Sequence, residues 1–118
     1  MIVIHVACDD EMFRAVVAEL LGHQCDMRVL RAVNERSEEA DVVVFGVSPS
    51  SAVTLHAPEY RDMASSGAAV VVFCTTPEQA ADFETLGVEY VVEANEPARE
   101  LATAVRTAYR QKARHTIH

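Results

Sequence analysis

The chain has 118 residues, half of them hydrophobic, with four glycines and four prolines; this composition fits one folded domain and excludes a disordered chain. Ten basic and 18 acidic residues give a formal net charge of -8, and such a field repels phosphate backbones, so we expect no direct nucleic acid contact. No apolar run resembles a signal peptide or a membrane span, and three cysteines suit a reducing compartment, so we expect a cytoplasmic protein without membrane contact.

The first half of the chain alternates between apolar runs and amphipathic segments. Ile2–Ala7 predicts a strand, and the helix after it keeps apolar side chains at a spacing of three and four residues until Gly22. Met27–Val33 predicts a second strand, and Asn34–Glu39 a helix of about two turns. Asp41–Val47 is apolar after its aspartate, the pattern of a central strand buried on both faces of a parallel sheet.

The second half repeats this alternation. Pro58–Ala64 predicts a short helix and Ala69–Cys74 a fourth strand. Thr76–Gln79 has the spacing of a capping box with proline at the first helical position, so a helix begins there and ends near residue 87. Val88–Val92 predicts the fifth strand, and Glu96–Gln111 the last helix.

Five strand–helix pairs with short connections allow few topologies. The leading one is an α/β three-layer flavodoxin-like (βα)5 fold, a doubly wound parallel sheet of strand order 2-1-3-4-5. A closed eight-stranded barrel would need about twice this length. We assign residues 1–112 to this domain and 113–118 to a C-terminal tail that frays or leads to a further segment.

The carboxyl ends of parallel strands meet at one edge of such a sheet, where functional groups gather. The predicted topology therefore brings together the residues at the ends of strands one, three, four and five: Cys8, Asp9, Asp10, Gly46, Thr75 and Glu93.

Four segments, in order and spacing, give the chain a family resemblance over nearly its whole length. They are the acidic turn with Phe13-Arg14, the segment Asp41–Phe45, the segment Val71–Thr75 and the segment Leu86–Val92. Together they resemble the receiver domain of bacterial response regulators. The resemblance implies a module of two-component signalling and transcription regulation.

The resemblance also implies roles at the sheet edge. Receivers hold Mg²⁺ with an acidic pair after strand one and accept a phosphoryl group on an aspartate that ends strand three. They contact this group with a hydroxyl residue after strand four and a lysine after strand five. If Phe13-Arg14 sets the register, Asp9 matches one position of the acidic pair and Cys8 occupies the other. Shifting the register by one residue makes Asp9 and Asp10 the pair.

The other positions depart from the family pattern. The acceptor position falls on Gly46 and the lysine position on Glu93, while Thr75 matches the hydroxyl and Tyr90 the switch aromatic. Glycine cannot carry a phosphoryl group, and a carboxylate repels one where a lysine would attract it. We therefore interpret the chain as an atypical receiver, or pseudo-receiver, that has no catalytic residues and needs no cofactor.

Two questions stay open at the sequence level. Asp9, Asp10 and Glu93 supply oxygen ligands of the kind that a divalent cation takes. We favour the simpler interpretation that they are solvated carboxylates, which the helix dipole stabilises at Asp9 and Asp10, and we assign no metal. Thr75 and Tyr90 either keep the coupled switch that the family resemblance implies or are an ordinary strand-end hydroxyl and a partly buried ring.

An enzymatic alternative rests on Cys8 and Arg14, which enclose five residues after the first strand, the Cys-x5-Arg spacing of low-molecular-weight tyrosine phosphatases. Such an enzyme needs a thiolate and a loop of backbone N–H groups around phosphate. The residues between them include three carboxylates and no glycine, which would raise the thiol pKa and repel substrate. We therefore favour a non-enzymatic module.

Partner binding is the expected mode of action. The resemblance implies an interaction face made by the fourth helix, the fifth strand and the fifth helix, which serves a homodimer or an output domain. A protein partner, a second copy of the chain or a small ligand would each fit. Two alternatives stay open for the domain: it is free-standing, or it belongs to a transcription regulator whose DNA-binding part would follow Gln111.

Overall fold

The computed structural model describes residues 2–8, 10–30, 40–47, 69–95 and 98–116. The strands are β1 (Ile2–Cys8), β2 (Met27–Val29), β3 (Val42–Gly46), β4 (Ala69–Cys74) and β5 (Val91–Glu93). The helices in these ranges are α1 (Glu11–Gly22), α2 (Pro77–Thr85) and α3 (Ala98–Thr116). The strands pair in parallel in the order β2-β1-β3-β4-β5, which confirms the predicted doubly wound, flavodoxin-like sheet.

Side chains on the two faces of this sheet build two separate parts of the core. One face packs against α1 and α3, whose buried residues include Val17 and Leu101. The opposite face packs against α2 through Phe83, which meets Phe45 of β3 in an edge-to-face contact with ring centroids 6.2 Å apart. Helices thus cover the sheet on both faces, as expected for strands that are apolar throughout.

The strand and helix bounds differ from the predictions in a few places. β2 ends at Val29, and residues 31–33 of the predicted strand lie outside the described ranges, as do the predicted helices at 34–39 and 58–64. The predicted C-terminal tail begins inside a helix, because α3 continues to Thr116. The helix is therefore longer than the apolar positions alone indicated.

The fifth strand begins three residues later than predicted, at Val91. Gly87 has φ +92, a left-handed conformation that glycine adopts without steric cost. After this turn the Val88 amide donates to the carbonyl of Phe83 at 3.2 Å. The backbone of Val88 thus contributes to the end of α2. Its side chain is buried in the core although the residue lies in a loop.

The sheet register fixes which residues share the carboxyl edge. Cys8 lies beside Gly46, and Gly46 lies beside Phe73. Cys74 lies beside Glu93 one position further along. Since side chains alternate between faces, the first three residues belong to the face covered by α1 and α3, and Cys74 and Glu93 to the face covered by α2.

Within the described ranges, no helix combines the length and the apolar character needed to cross a membrane.

Candidate functional site

The position that would carry a phosphoryl group is buried and closely covered. A Cβ atom built on Gly46 would lie 3.3 Å from Cys8 Sγ and 3.3 Å from Phe13 Cε1. These distances are shorter than ordinary van der Waals contact, so the neighbours would have to move to admit even a methyl group. The site at the end of β3 is therefore filled as well as lacking a side chain.

Phe13 closes this end of the sheet from α1. Its ring stacks on Phe73 of β4 with centroids 5.4 Å apart and an interplanar angle of 25°. The N-cap of α1 fixes its backbone, since Asp10 Oδ1 accepts hydrogen bonds from the amides of Met12 at 2.9 Å and of Phe13 at 3.1 Å. Cys8, Phe13, Gly46 and Phe73 thus form an apolar cluster, which we call the closed half of the edge.

The acidic residues after β1 are placed only in part. Asp9 lies outside the described residues. Asp10 is exposed, and its carboxylate caps α1, which is the structural role expected of a carboxylate at a helix start. Among the described residues, no three His, Cys, Asp or Glu side chains are grouped to hold a metal ion. A cation site that includes Asp9 stays untested.

The Cys-x5-Arg segment does not form an anion cradle in its described part. A phosphate-binding loop directs its backbone N–H groups at the ligand. Here the amides of Met12 and Phe13 already donate to Asp10, and the amide of Arg14 donates to the Asp10 carbonyl at 2.9 Å. The first turn of α1 thus engages, in hydrogen bonds to Asp10, three amides that a phosphatase would direct at its substrate.

Thr75 lies where β4 gives way to α2, and Gln79 holds it there. The amide and the hydroxyl of Thr75 each donate to Gln79 Oε1 at 3.0 Å. The amide of Thr76 donates to the same oxygen at 3.3 Å, and Thr76 Oγ1 accepts from the Gln79 amide at 3.2 Å. This confirms the predicted capping box and extends it to Thr75; we call these three residues the hydrogen-bonded half of the edge.

Tyr90 packs, half-buried, against the core face that α1 and α3 cover. Burial, and to a smaller extent the neighbouring Glu89 carboxylate, raise the pKa of its phenol above the ordinary value. The backbone carbonyl of Tyr90 accepts from the Val72 amide at 2.9 Å. No described contact joins its side chain to Thr75, so the coupled switch implied by the resemblance remains a prediction.

Glu93 ends β5 beside Cys74 and is half-buried. Its side chain starts on the sheet face covered by α2, whereas Gly46 belongs to the opposite face. Within the ranges given above, no basic group pairs with Glu93. A short ion pair among the described residues is remote from the edge: Asp26 accepts from Arg106 Nε at 2.8 Å.

Two residues that shape the site were not singled out as site residues from the sequence. Phe13 served only to set the register, and Gln79 only to mark a helix start. The sequence signals for both were present: an aromatic residue three positions into α1, and glutamine at the N3 position of a capping box. Their contacts across the edge depend on how α1 and α2 dock on the sheet.

No known protein-family model and no curated relative matches the chain. Solved structures do match it. A protein described as pilus assembly-related from Burkholderia pseudomallei K96243 is 22% identical, over 94% of this chain and 91% of that chain, with a TM-score of 0.71. A response regulator receiver domain from Clostridium thermocellum is 18% identical, over 96% and 98%, with a TM-score of 0.70.

The response regulator ChrA of a heme-sensing two-component system is 20% identical with a TM-score of 0.67, and the match covers 92% of this chain and 57% of that chain. At these identities the likeness defines the fold and leaves the activity open. The chain has the fold of a response-regulator receiver domain.

Proposed function

We propose that this domain is a pseudo-receiver: a regulatory module of signal transduction that works by binding a partner and independently of aspartyl phosphorylation. In this proposal the domain is cytoplasmic and catalyses no reaction. The observation that carries the proposal is the filled space at Gly46, where a Cβ atom would lie only 3.3 Å from Cys8 Sγ and from Phe13 Cε1.

The close packing around Gly46 opposes phosphorylation more strongly than the absence of an aspartate alone. A receiver needs room above the end of β3 for a phosphoryl group and the Mg²⁺ beside it, and both are strongly hydrated groups. Here Phe13 Cε1 lies 3.3 Å from a Cβ built on Gly46, and the Phe13 ring stacks on Phe73. Admitting a charged group would require displacing aromatic surface and burying the charge in apolar surroundings, which is costly.

The residues at the two other positions that the resemblance assigns to phosphoryl contact have different roles here. The hydroxyl of Thr75 already donates to Gln79, and the lysine position holds the carboxylate of Glu93. Neither residue offers a positive charge to a phosphoryl group. Each departure favours the same conclusion, that regulation by this fold has become independent of phosphate.

The partner in this proposal is a protein. The outer surface of α2, β5 and α3 is the face that the resemblance implies for partner or output-domain contact, and helices α2 and α3 present exposed polar residues there, among them Asp82, Glu84 and Arg99. Dimerisation through this face and a small ligand are the competing modes.

The test is incubation of the purified protein with Mg²⁺ and acetyl phosphate, followed by intact mass measurement under conditions that preserve acyl phosphates. A receiver domain with an intact acceptor aspartate serves as the positive control. We expect no mass gain in this protein, because glycine at position 46 has no side chain that can accept the group. A gain of one phosphoryl group would overturn the proposal.

The enzymatic alternative is tested in parallel with an aryl phosphate. Hydrolysis that disappears in Cys8→Ser would replace the proposal by a thiol-dependent phosphatase. We expect no hydrolysis above background, because the amides of Met12 and Phe13 are bonded to Asp10.

A further inference from the structure

The corner between β4 and α2 contains a buried polar side chain. Gln79 is 6% exposed, the one polar residue among the buried side chains of the described ranges. It lies in the first turn of α2, next to the buried residues Ala80 and Phe83. A polar group at such a depth is retained at a cost unless it is fully hydrogen-bonded.

Its carbonyl oxygen is saturated by three donors. Thr75 supplies two, its amide and its hydroxyl, each at 3.0 Å, and the amide of Thr76 supplies a third at 3.3 Å. Each of these hydrogen bonds is electrostatically stronger in a low-dielectric site than it would be in water. Losing any one of them would leave either a buried acceptor or a backbone donor less well satisfied.

The arrangement removes a degree of freedom from the sheet edge. The Thr75 hydroxyl has a single hydrogen to donate, and that hydrogen is used by Gln79. The hydroxyl cannot donate to a ligand at the edge while the bond lasts. The amides of Thr75 and Thr76 donate to the same oxygen, so a movement of the loop would break three hydrogen bonds, whereas a rotation of the hydroxyl would break one.

We propose that Gln79 is a latch that holds the β4–α2 corner in one conformation, so that α2 and β5 present a single, permanently formed surface. The proposal deepens the proposed function, on which it rests only for the identity of that surface as a partner site. It states that the domain has no exchange between an inactive and an active arrangement at this corner.

The experiment compares the wild-type protein with Gln79→Leu, Thr75→Val and the control Thr85→Ala by ¹⁵N relaxation dispersion and amide hydrogen exchange. Thr85 makes a similar hydroxyl bond to the Ala81 carbonyl, exposed at the far end of α2. In the wild type we expect no microsecond-to-millisecond exchange from Thr75 to Ala80. In Gln79→Leu we expect such exchange, with Thr75 and Thr76 amides exchanging at least about fivefold faster with solvent.

Thr75→Val removes the hydroxyl bond and keeps the shape of the side chain. It should produce local exchange at residue 75 while the Thr76 amide stays protected, and it keeps the test decisive if Gln79→Leu fails to fold. Microsecond-to-millisecond exchange at Thr75 in the wild type would overturn the latch. So would a Thr75→Val protein that shows no more exchange at residue 75 than Thr85→Ala does. A phosphoryl gain with a quiet corner would instead overturn the proposed function alone.

Discussion

The two halves of the carboxyl edge are shut by different physical means. At the end of β1 and β3, Cys8 and Phe13 fill the space above Gly46 by van der Waals packing. At the end of β4, Gln79 gathers the donors of Thr75 and Thr76 onto one buried oxygen. The carboxyl edge is thus closed by packing on one side and by hydrogen bonds among its own residues on the other.

The difference has energetic consequences. Packing in a closed core resists added volume strongly and responds little to pH. A hydrogen-bonded corner is local, contributes about 1 kcal/mol per bond, and can open without unfolding the sheet. Substitutions in the closed half should therefore change global stability, and those in the hydrogen-bonded half should change local order more than stability.

The largest effect should come from restoring a carboxylate to the acceptor position. Gly46→Asp would place a charged group between the Cys8 thiol and the Phe13 ring, and we expect a loss of about 3 to 5 kcal/mol in the free energy of unfolding. Urea denaturation measures it. Gly87→Asp is the matched control, since nothing lies within 4 Å of a Cβ at Gly87 and only its φ of +92 opposes the change. Equal stability of the two variants would contradict a filled site.

A smaller steric change isolates the role of Phe13. Gly46→Ala should cost about 1 to 3 kcal/mol, because Cys8 and Phe13 must shift to admit the methyl group. In a Phe13→Ala background part of that cost should disappear, since one of the two obstructing groups is gone. A double-mutant cycle by chemical denaturation measures the coupling. Strictly additive effects would show that Phe13 does not fill the space.

The hydrogen-bonded half should respond more weakly. Thr76→Ala removes the N-cap of α2 and should cost about 1 kcal/mol. Thr107→Ala is the control: its hydroxyl bonds the Thr103 carbonyl on the exposed side of α3, so we expect a change within about 0.5 kcal/mol. If the two variants are equally stable in thermal and urea unfolding, the cap does not hold this corner.

The smallest effect concerns pH. Burial, and secondarily the Arg14 guanidinium, hold the pKa of His5 below its ordinary value of 6.5. The unfolded chain therefore binds this proton more tightly than the folded one, and the stability contributed by neutral His5 is complete above 6.5 and declines as the pH falls from 6.5 toward the folded pKa. NMR titration should place the His5 pKa below 6.5, and Arg14→Gln should raise it. A value above 6.5 would contradict the burial of His5.

The sheet was predictable from the sequence because its strands are apolar on both faces, and the strand order was confirmed as predicted. The sequence also placed a glycine near the end of the central strand, and β3 ends at Gly46. The filling of that site was not predictable, because it depends on the angle at which α1 leaves the sheet and directs Phe13 over the end of β3.

At the two ends of α2, the sequence pattern predicted only part of the structure. The capping box at Thr76 and Gln79 was predicted, but the additional bonds to Thr75 depend on how α2 docks against β4. The start of β5 was wrong by three residues, because the apolar Val88 gives its amide to the end of α2. Hydrophobic pattern places a residue in the core without saying which element carries it.

The central claim is that the edge at Gly46 no longer receives a phosphoryl group, and one NMR titration tests it most directly. Adding Mg²⁺ and trifluoroberyllate, which mimics a phosphoryl group on a carboxylate, to the ¹⁵N-labelled protein reports on the amides of Cys8, Gly46 and Thr75. We expect these three resonances to stay unshifted. Saturable shifts at all three, with Mg²⁺ required, would show a working phosphoryl site and contradict the account.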